Sequence, residues 1–124
     1  KQLLLEKTVI DNIRTYLDGK VSLCCITQDM LKGLGLEDSE TDGMTNVVRR
    51  LEGSMVSVTM RQLSDGTIRV SLRSECDFNV ADVAACFGGG GHVRAAGCSL
   101  DGEPAEAIER IVSVISEKWN KTEK

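Results

Sequence analysis

The segment Phe87–Gly97 reads FGGGGHVRAAG and holds the only histidine of the chain, His92, directly after four consecutive glycines. An imidazole donates a hydrogen bond whether neutral or protonated, and residues without side chains let a ligand approach the backbone closely. Gly88, Gly89, Gly90 and Gly91 can turn several N–H groups toward one oxyanion, with His92 at the rim donating to a phosphate oxygen. A plainer reading competes with this anion nest: one glycine caps a helix, the rest make a flexible hairpin, and His92 is merely exposed. A cap needs a single glycine, and each further one costs about 1 kcal/mol of backbone entropy without return. The residues by themselves leave both readings open.

Other phosphate-binding patterns fit less well. No lysine follows the glycines as a Walker loop requires, and the G-x-G-x-x-G spacing of dinucleotide sites is not met. Gly88 to Gly91 satisfies a G-x-x-G nucleic-acid clamp in form, but Arg94 is the only basic residue close by. Five cysteines, at positions 24, 25, 76, 86 and 98, form no C-x-x-C pair and are odd in number. They imply neither a zinc site nor a disulfide framework, but free, mostly buried thiols of a reducing cytoplasm. Cys24 and Cys25 are adjacent, so a strand would point them to opposite faces. Glu37, Asp38 and Glu40 precede or open a helix, where the macrodipole explains their charge without a metal.

A net charge of −4 argues against a general electrostatic grip on long nucleic acid, and 3% aromatic residues leave little for base-stacking platforms. A small anionic ligand held by a few local groups remains compatible with both numbers. No apolar run approaches the about 20 residues of a membrane span, so no membrane partner is expected. The chain opens on lysine and lacks a signal-peptide pattern, and it reads as a piece of something longer.

The elements that would position these residues follow from periodicity. Leu3, Ile10, Ile13 and Leu17 share a helix face that Asp18-Gly19 would end. Leu4, Leu5 and Val9 broaden that face, as in an interdomain or packing helix over residues 1–19. An α/β core over 20–120 would follow. VSLCCIT (21–27) reads as an interior strand and QDMLKGL as a short helix. Ser39 with Asp42 resembles a capping box, before Met44, Val47, Val48 and Leu51 at helical spacing and a terminating Gly53. SMVSVTMRQ and TIRVSLRS alternate around SDG. A strict two-residue Asp65-Gly66 turn would put their apolar sets on opposite faces, so a three-residue loop or a bulge is expected. Arg69, Ser71 and Arg73 then share a polar face.

Asn79 caps a helix whose buried stripe is Val80, Val83, Ala84 and Phe87. After the glycines, RAAGCSL predicts a tight turn of helix and a strand through Cys98 and Leu100. A last helix from Pro104 presents Ile108, Ile111, Val112, Ile115 and Trp119 to the core. The expected fold is a single α/β domain over residues 1–124, with a mixed sheet of four or five strands flanked by helices.

VSLRSECDFNVADVAACFGGGGHVRAAG closely resembles the DHH-associated domain, the C-terminal half of DHH-family phosphoesterases. ETDGMTNVVRRLEGSMVSV is similar to the same region in the nanoRNase and phosphoadenosine-phosphate phosphatase branch. The cyclic-dinucleotide phosphodiesterase and RecJ-like branches share the glycine-histidine motif. The resemblance implies that Arg73 and Ser74, with Gly88, Gly89, Gly90, Gly91 and His92, bind the phosphates and nucleotide of a short oligonucleotide or of adenosine 3',5'-bisphosphate. It implies that divalent metals, typically manganese, sit in an N-terminal DHH domain, the partner across the cleft, and it allows a homodimer through the parent. With one histidine and no D-H-H, this chain is expected to hold no catalytic residue, metal or cofactor, and to be inactive alone. Arg69 and Arg94 read as surface residues. A stand-alone RNA- or tRNA-binding module is the rival reading.

Overall fold

In the computed structural model of the protein, residues 2–37, 48 and 54–122 are described, the side chains of Gln2, Leu3, Leu4, Leu5 and Thr122 excepted. The first helix, α1 (Gln2–Asp11), stops well short of Asp18-Gly19. Its last turn tightens, with Asn12 N donating to Val9 O and Ile13 N to Ile10 O, while the Asn12 side chain donates to Thr8 O. Such bonds satisfy terminal carbonyls that the helix itself cannot. Arg14–Tyr16 then form β1, and Leu17 and Asp18 turn the chain with φ of +52° and +57°. Helical spacing at Ile13 and Leu17 is thus overridden by pairing with the next strand. Val9 points inward and Ile10 is half exposed, the reverse of what the sequence pattern favours for Ile10.

The remaining elements are β2 (Val21–Ile26), α2 (Gln28–Leu34), β3 (Val56–Gln62), β4 (Ile68–Ser74), α3 (Val80–Ala85), β5 (Gly90–His92), β6 (Ala95–Leu100) and α4 (Pro104–Thr122). They form one mixed sheet of six strands in the order β1-β2-β3-β4-β6-β5, with only β2 and β3 parallel. The count exceeds the expected four or five because β1 and β5, each three residues long, carry little hydrophobic pattern. The expected helix over 39–53 lies outside the described residues except at Val48, which is helical and buried.

The β3–β4 hairpin pairs Val56 with Ser74, Val58 with Leu72 and Met60 with Val70, even against even. Leu63 and Thr67 close a three-residue loop, Leu63 N donating to Thr67 O at 2.8 Å. One extra loop residue thereby puts Val58, Met60, Val70 and Leu72 on a common face, under α3 and α4. Ala107, Ile111, Ile115 and Trp119 of α4 are buried there, and Phe78 lies 5.1 Å from Trp119 between ring centroids. Ile108 and Val112 are only half-buried, since Ala107 takes the inner position.

On the opposite face Val9, Cys24, Ile26, Leu31, Leu36 and Val48 form a second, smaller core. Cys24 and Cys25 thus split between the two cores, as strand alternation requires. Burial pushes the Cys24 thiol up to about 12 and the Cys25 thiol up to about 11, with Arg14 pulling both back slightly. Both are packing groups with little thiolate character.

Candidate functional site

The four glycines do not share one job. Asn79 opens α3 by accepting from Ala81 N (2.9 Å) and Asp82 N (3.3 Å). The helix ends in a Schellman turn: Gly89 N donates to Ala84 O (2.9 Å) and Gly88 N to Ala85 O (3.2 Å), with Gly88 at φ +79°. Gly88 is therefore the helix cap, and Phe87 packs half-buried beyond it, 5.5 Å beneath the Arg110 guanidinium. A Cβ on Gly89 would collide with Gly97 O and Cys98, and one on Gly91, at φ +150°, would come within 2.6 Å of Ala95 O. Those two positions need glycine so that β5 can lie against β6. At Gly90 a Cβ would meet nothing within 4 Å. Gly90 is the one glycine of the four that neither dihedral nor neighbour demands.

Gly90 to His92 are extended and paired with β6, in place of the nest geometry and of the helical turn expected for RAAG. Antiparallel pairing across the Val93-Arg94 turn satisfies backbone groups that a lone helical turn would leave open. Neither turn residue has positive φ, unlike the usual two-residue hairpin. Two bonds from outside hold the turn instead: Ser74 N donates to Arg94 O (2.9 Å) and Val80 N to Val93 O (3.0 Å).

Register decides which side chains meet. His92 pairs with Ala95, Ala95 with Arg73 and Arg73 with Ser57, so these four form one row on one face. His92 and Arg73 stand two strand spacings apart, about 10 Å between backbones, within reach of a single ligand. The next row is Gly90, Gly97, Ser71 and Thr59, and the one beyond is Ser99, Arg69 and Arg61. His92 is exposed and Arg73 half-buried. Among the described residues no carboxylate pairs with the Arg73 guanidinium. The floor between the cations and the imidazole consists of small residues: Ala95, Gly97, Gly90 and Ser71.

Of the residues singled out by sequence, Arg73, Gly90 and His92 come together on this shelf. Gly91 faces the other way with Ala96, and Gly88 and Gly89 form the turn leading in. Ser74 lies on the core face, buried, with its Oγ donating to Cys76 O (3.1 Å) and accepting from Cys76 N (3.3 Å). Its hydroxyl is committed to the chain, and its backbone N–H anchors the hairpin turn. Arg94, read as a surface residue, is exposed and lies 3.7 Å from Asp77, a solvent-screened pair that contributes little. Gly97 and Ala95 were not singled out beforehand; their signal was the small-residue run RAAG, legible only once the register is known. Grooves of about 530 and 550 Å³ flank α4 near Tyr16 and Phe87, on the other side of the sheet from the shelf.

A family model described as DHHA1 domain matches residues 20–121. The bifunctional oligoribonuclease and PAP phosphatase NrnA of Thermus thermophilus is 35% identical over 94 residues, 75% of this chain and 28% of that protein. Oligoribonuclease NrnB of Bacillus subtilis is 49% identical over 45 residues, 36% of this chain and 11% of that protein. An exopolyphosphatase-related protein from Bacteroides fragilis superposes with a TM-score of 0.86 at 24% identity, over 99% of this chain and 36% of that one. The chain thus spans less than a third of the length of the curated relatives it matches.

Proposed function

The chain belongs to the DHHA1 domain family, and on that premise we propose that it is the substrate-binding half of a metal-dependent DHH phosphoesterase acting on short oligonucleotides or adenosine 3',5'-bisphosphate. The observation that carries this reading is the row His92–Ala95–Arg73 over a floor without large side chains. Arg73 offers a planar fork of donors matched to phosphate oxygens, and His92 donates from the far side of the same ligand. Gly90 leaves room for the ligand to reach the sheet.

The donor set here does not make a two-metal centre: the chain has one histidine, and no group of three His, Cys, Asp or Glu converges among the described residues. In this reading the divalent ions, manganese by resemblance, belong to an N-terminal DHH domain of the parent chain, which closes over the shelf. The names of the Thermus and Bacillus relatives support the substrate class. No helix among the described residues is long and apolar enough to cross a membrane. The five cysteines stand as free thiols, which supports a cytoplasmic setting.

Turnover of adenosine 3',5'-bisphosphate by the full-length protein in manganese tests the assignment. Arg73→Ala and His92→Asn should each lower kcat/KM about 10- to 100-fold, the scale of one lost charge-assisted hydrogen bond. Their unfolding midpoints should match the wild type. Wild-type turnover in both variants would overturn the reading, as would phosphate release by the 124-residue chain alone.

A further inference from the structure

The row beyond the shelf has no part in the assignment above, yet it concentrates charge. Arg61 and Arg69 are directly paired across β3 and β4, and Ser99 pairs with Arg69 on the other side. All three lie on the same face as Arg73 and His92, in a chain whose net charge is −4. Like charges directly opposed across two strands disfavour a sheet, so the direct Arg61–Arg69 contact is not itself a source of stability. Arg69 is exposed, and among the described residues no carboxylate pairs with it.

We infer that Arg69, with Arg61 and Ser99 beside it, is a second anion subsite that takes an internal phosphodiester of a bound oligonucleotide. The inference rests on the nucleotide-binding reading of the His92–Arg73 row. Arg73 stands four positions along β4 from Arg69, about 14 Å of extended chain. That is too far for one phosphate group to bridge. Among the described residues only Ser71, Gly97 and Gly90 lie between the two arginines, so a strand can run flat from one row to the other. A nucleoside bisphosphate carries both phosphates on a single ribose and occupies the His92 row alone. The Arg69 row therefore separates oligonucleotides from mononucleotides by a contact that only the longer ligand makes.

The test is calorimetric titration of the full-length protein in EDTA and 0.15 M salt, with adenosine 3',5'-bisphosphate and with a five-nucleotide RNA. At that ionic strength the screening length is about 8 Å, so a charge change at position 69 is largely screened at the His92 row. Arg69→Glu should weaken RNA binding at least tenfold and leave bisphosphate affinity within about twofold of wild type. The salt dependence of RNA binding should lose about 0.7 in log–log slope, the share of one single-strand phosphate. Arg69→Lys should keep most of that slope. The thermal midpoint of Arg69→Glu should equal or exceed that of the wild type, because attraction to Arg61 replaces repulsion. Should that variant fail to fold, Arg69→Gln serves with the same expectations for the two ligands.

Unchanged RNA affinity and slope would overturn the inference, and so would a parallel fall in bisphosphate affinity, which would place Arg69 in the first subsite. Wild-type protein that binds neither ligand would overturn this inference together with the assignment beneath it. Bisphosphate binding that depends on Arg73 while RNA binding ignores Arg69 would leave the assignment standing and sink only the subsite.

Discussion

The two faces of β3, β4 and β6 are built from alternate residues of the same strands and have nothing in common chemically. One face carries Val58, Met60, Val70, Leu72, Cys98 and Leu100, all buried beneath α3 and α4. The other carries Arg61, Arg69, Ser71, Arg73, Ala95, Gly97 and Ser99, joined at the edge by Gly90 and His92. Apolar burial holds the first face in place, and that rigidity positions the second without any ligand present. Under the proposed function, a residue's contribution to stability and its contribution to binding separate by a single step along the strand.

Adjacent substitutions in β4 should break that comparison most sharply. Leu72→Ala removes a fully buried side chain and should cost about 2–5 kcal/mol in chemical unfolding. Its neighbour Arg73→Ala should shift stability by less than about 0.5 kcal/mol while losing substrate affinity. Equal stability losses at the two positions would mean that the faces are not divided in this way.

The glycines offer the next test. Gly91→Ala must displace Ala95 or Ala96 and adopt a strained backbone, so it should destabilise by about 1–3 kcal/mol. Gly90→Ala meets open space and should leave the unfolding midpoint within about 1 kcal/mol of wild type, yet weaken bisphosphate binding. Comparable melting curves for the two variants would contradict the assignment of Gly91 to the fold and Gly90 to the ligand.

The smallest effect expected concerns the buried thiols. Their pKa values are raised in the folded state, so above the ordinary thiol value the unfolded chain binds fewer protons than the native one. Stability should be insensitive to these thiols below about pH 8. Cys24 and Cys25 should then each subtract up to about 1.4 kcal/mol per pH unit on the alkaline side, until the folded values near 12 and 11 are reached. Cys24→Ala should flatten that slope. Alkylation by a small reagent should label exposed Cys86 well before Cys24.

Much of this was legible in the residues, for identifiable reasons. The even-to-even hairpin followed from parity alone, because apolar alternation on both strands admits only a loop that keeps the apolar sets together. The Asn79 cap followed from a side chain that can accept from free N–H groups, whereas the Thr27 cap of α2 appears only in the structure. Where local signal was weak, the sequence misled. Residues 13–17 carried helical spacing but found a partner strand, and RAAG carried no strand pattern because its strand is made of small residues. Strand segments with so little pattern of their own owe their existence to a neighbour, and a neighbour is not encoded locally.

The sequence by itself determined that glycines and a lone imidazole stand beside each other, that Arg73 shares a strand face with Arg69, and that Cys24 and Cys25 pack on opposite faces of a strand. Each of these depends on residue type and on a period of two or of 3.6, which are local properties. Only the tertiary structure decided that the glycine run is half cap and half strand, that Ser74 turns inward, and that His92 and Arg73 share a row. The physical reason is that strand register couples residues far apart in the chain, and a slip of one residue would have sent His92 to the opposite face.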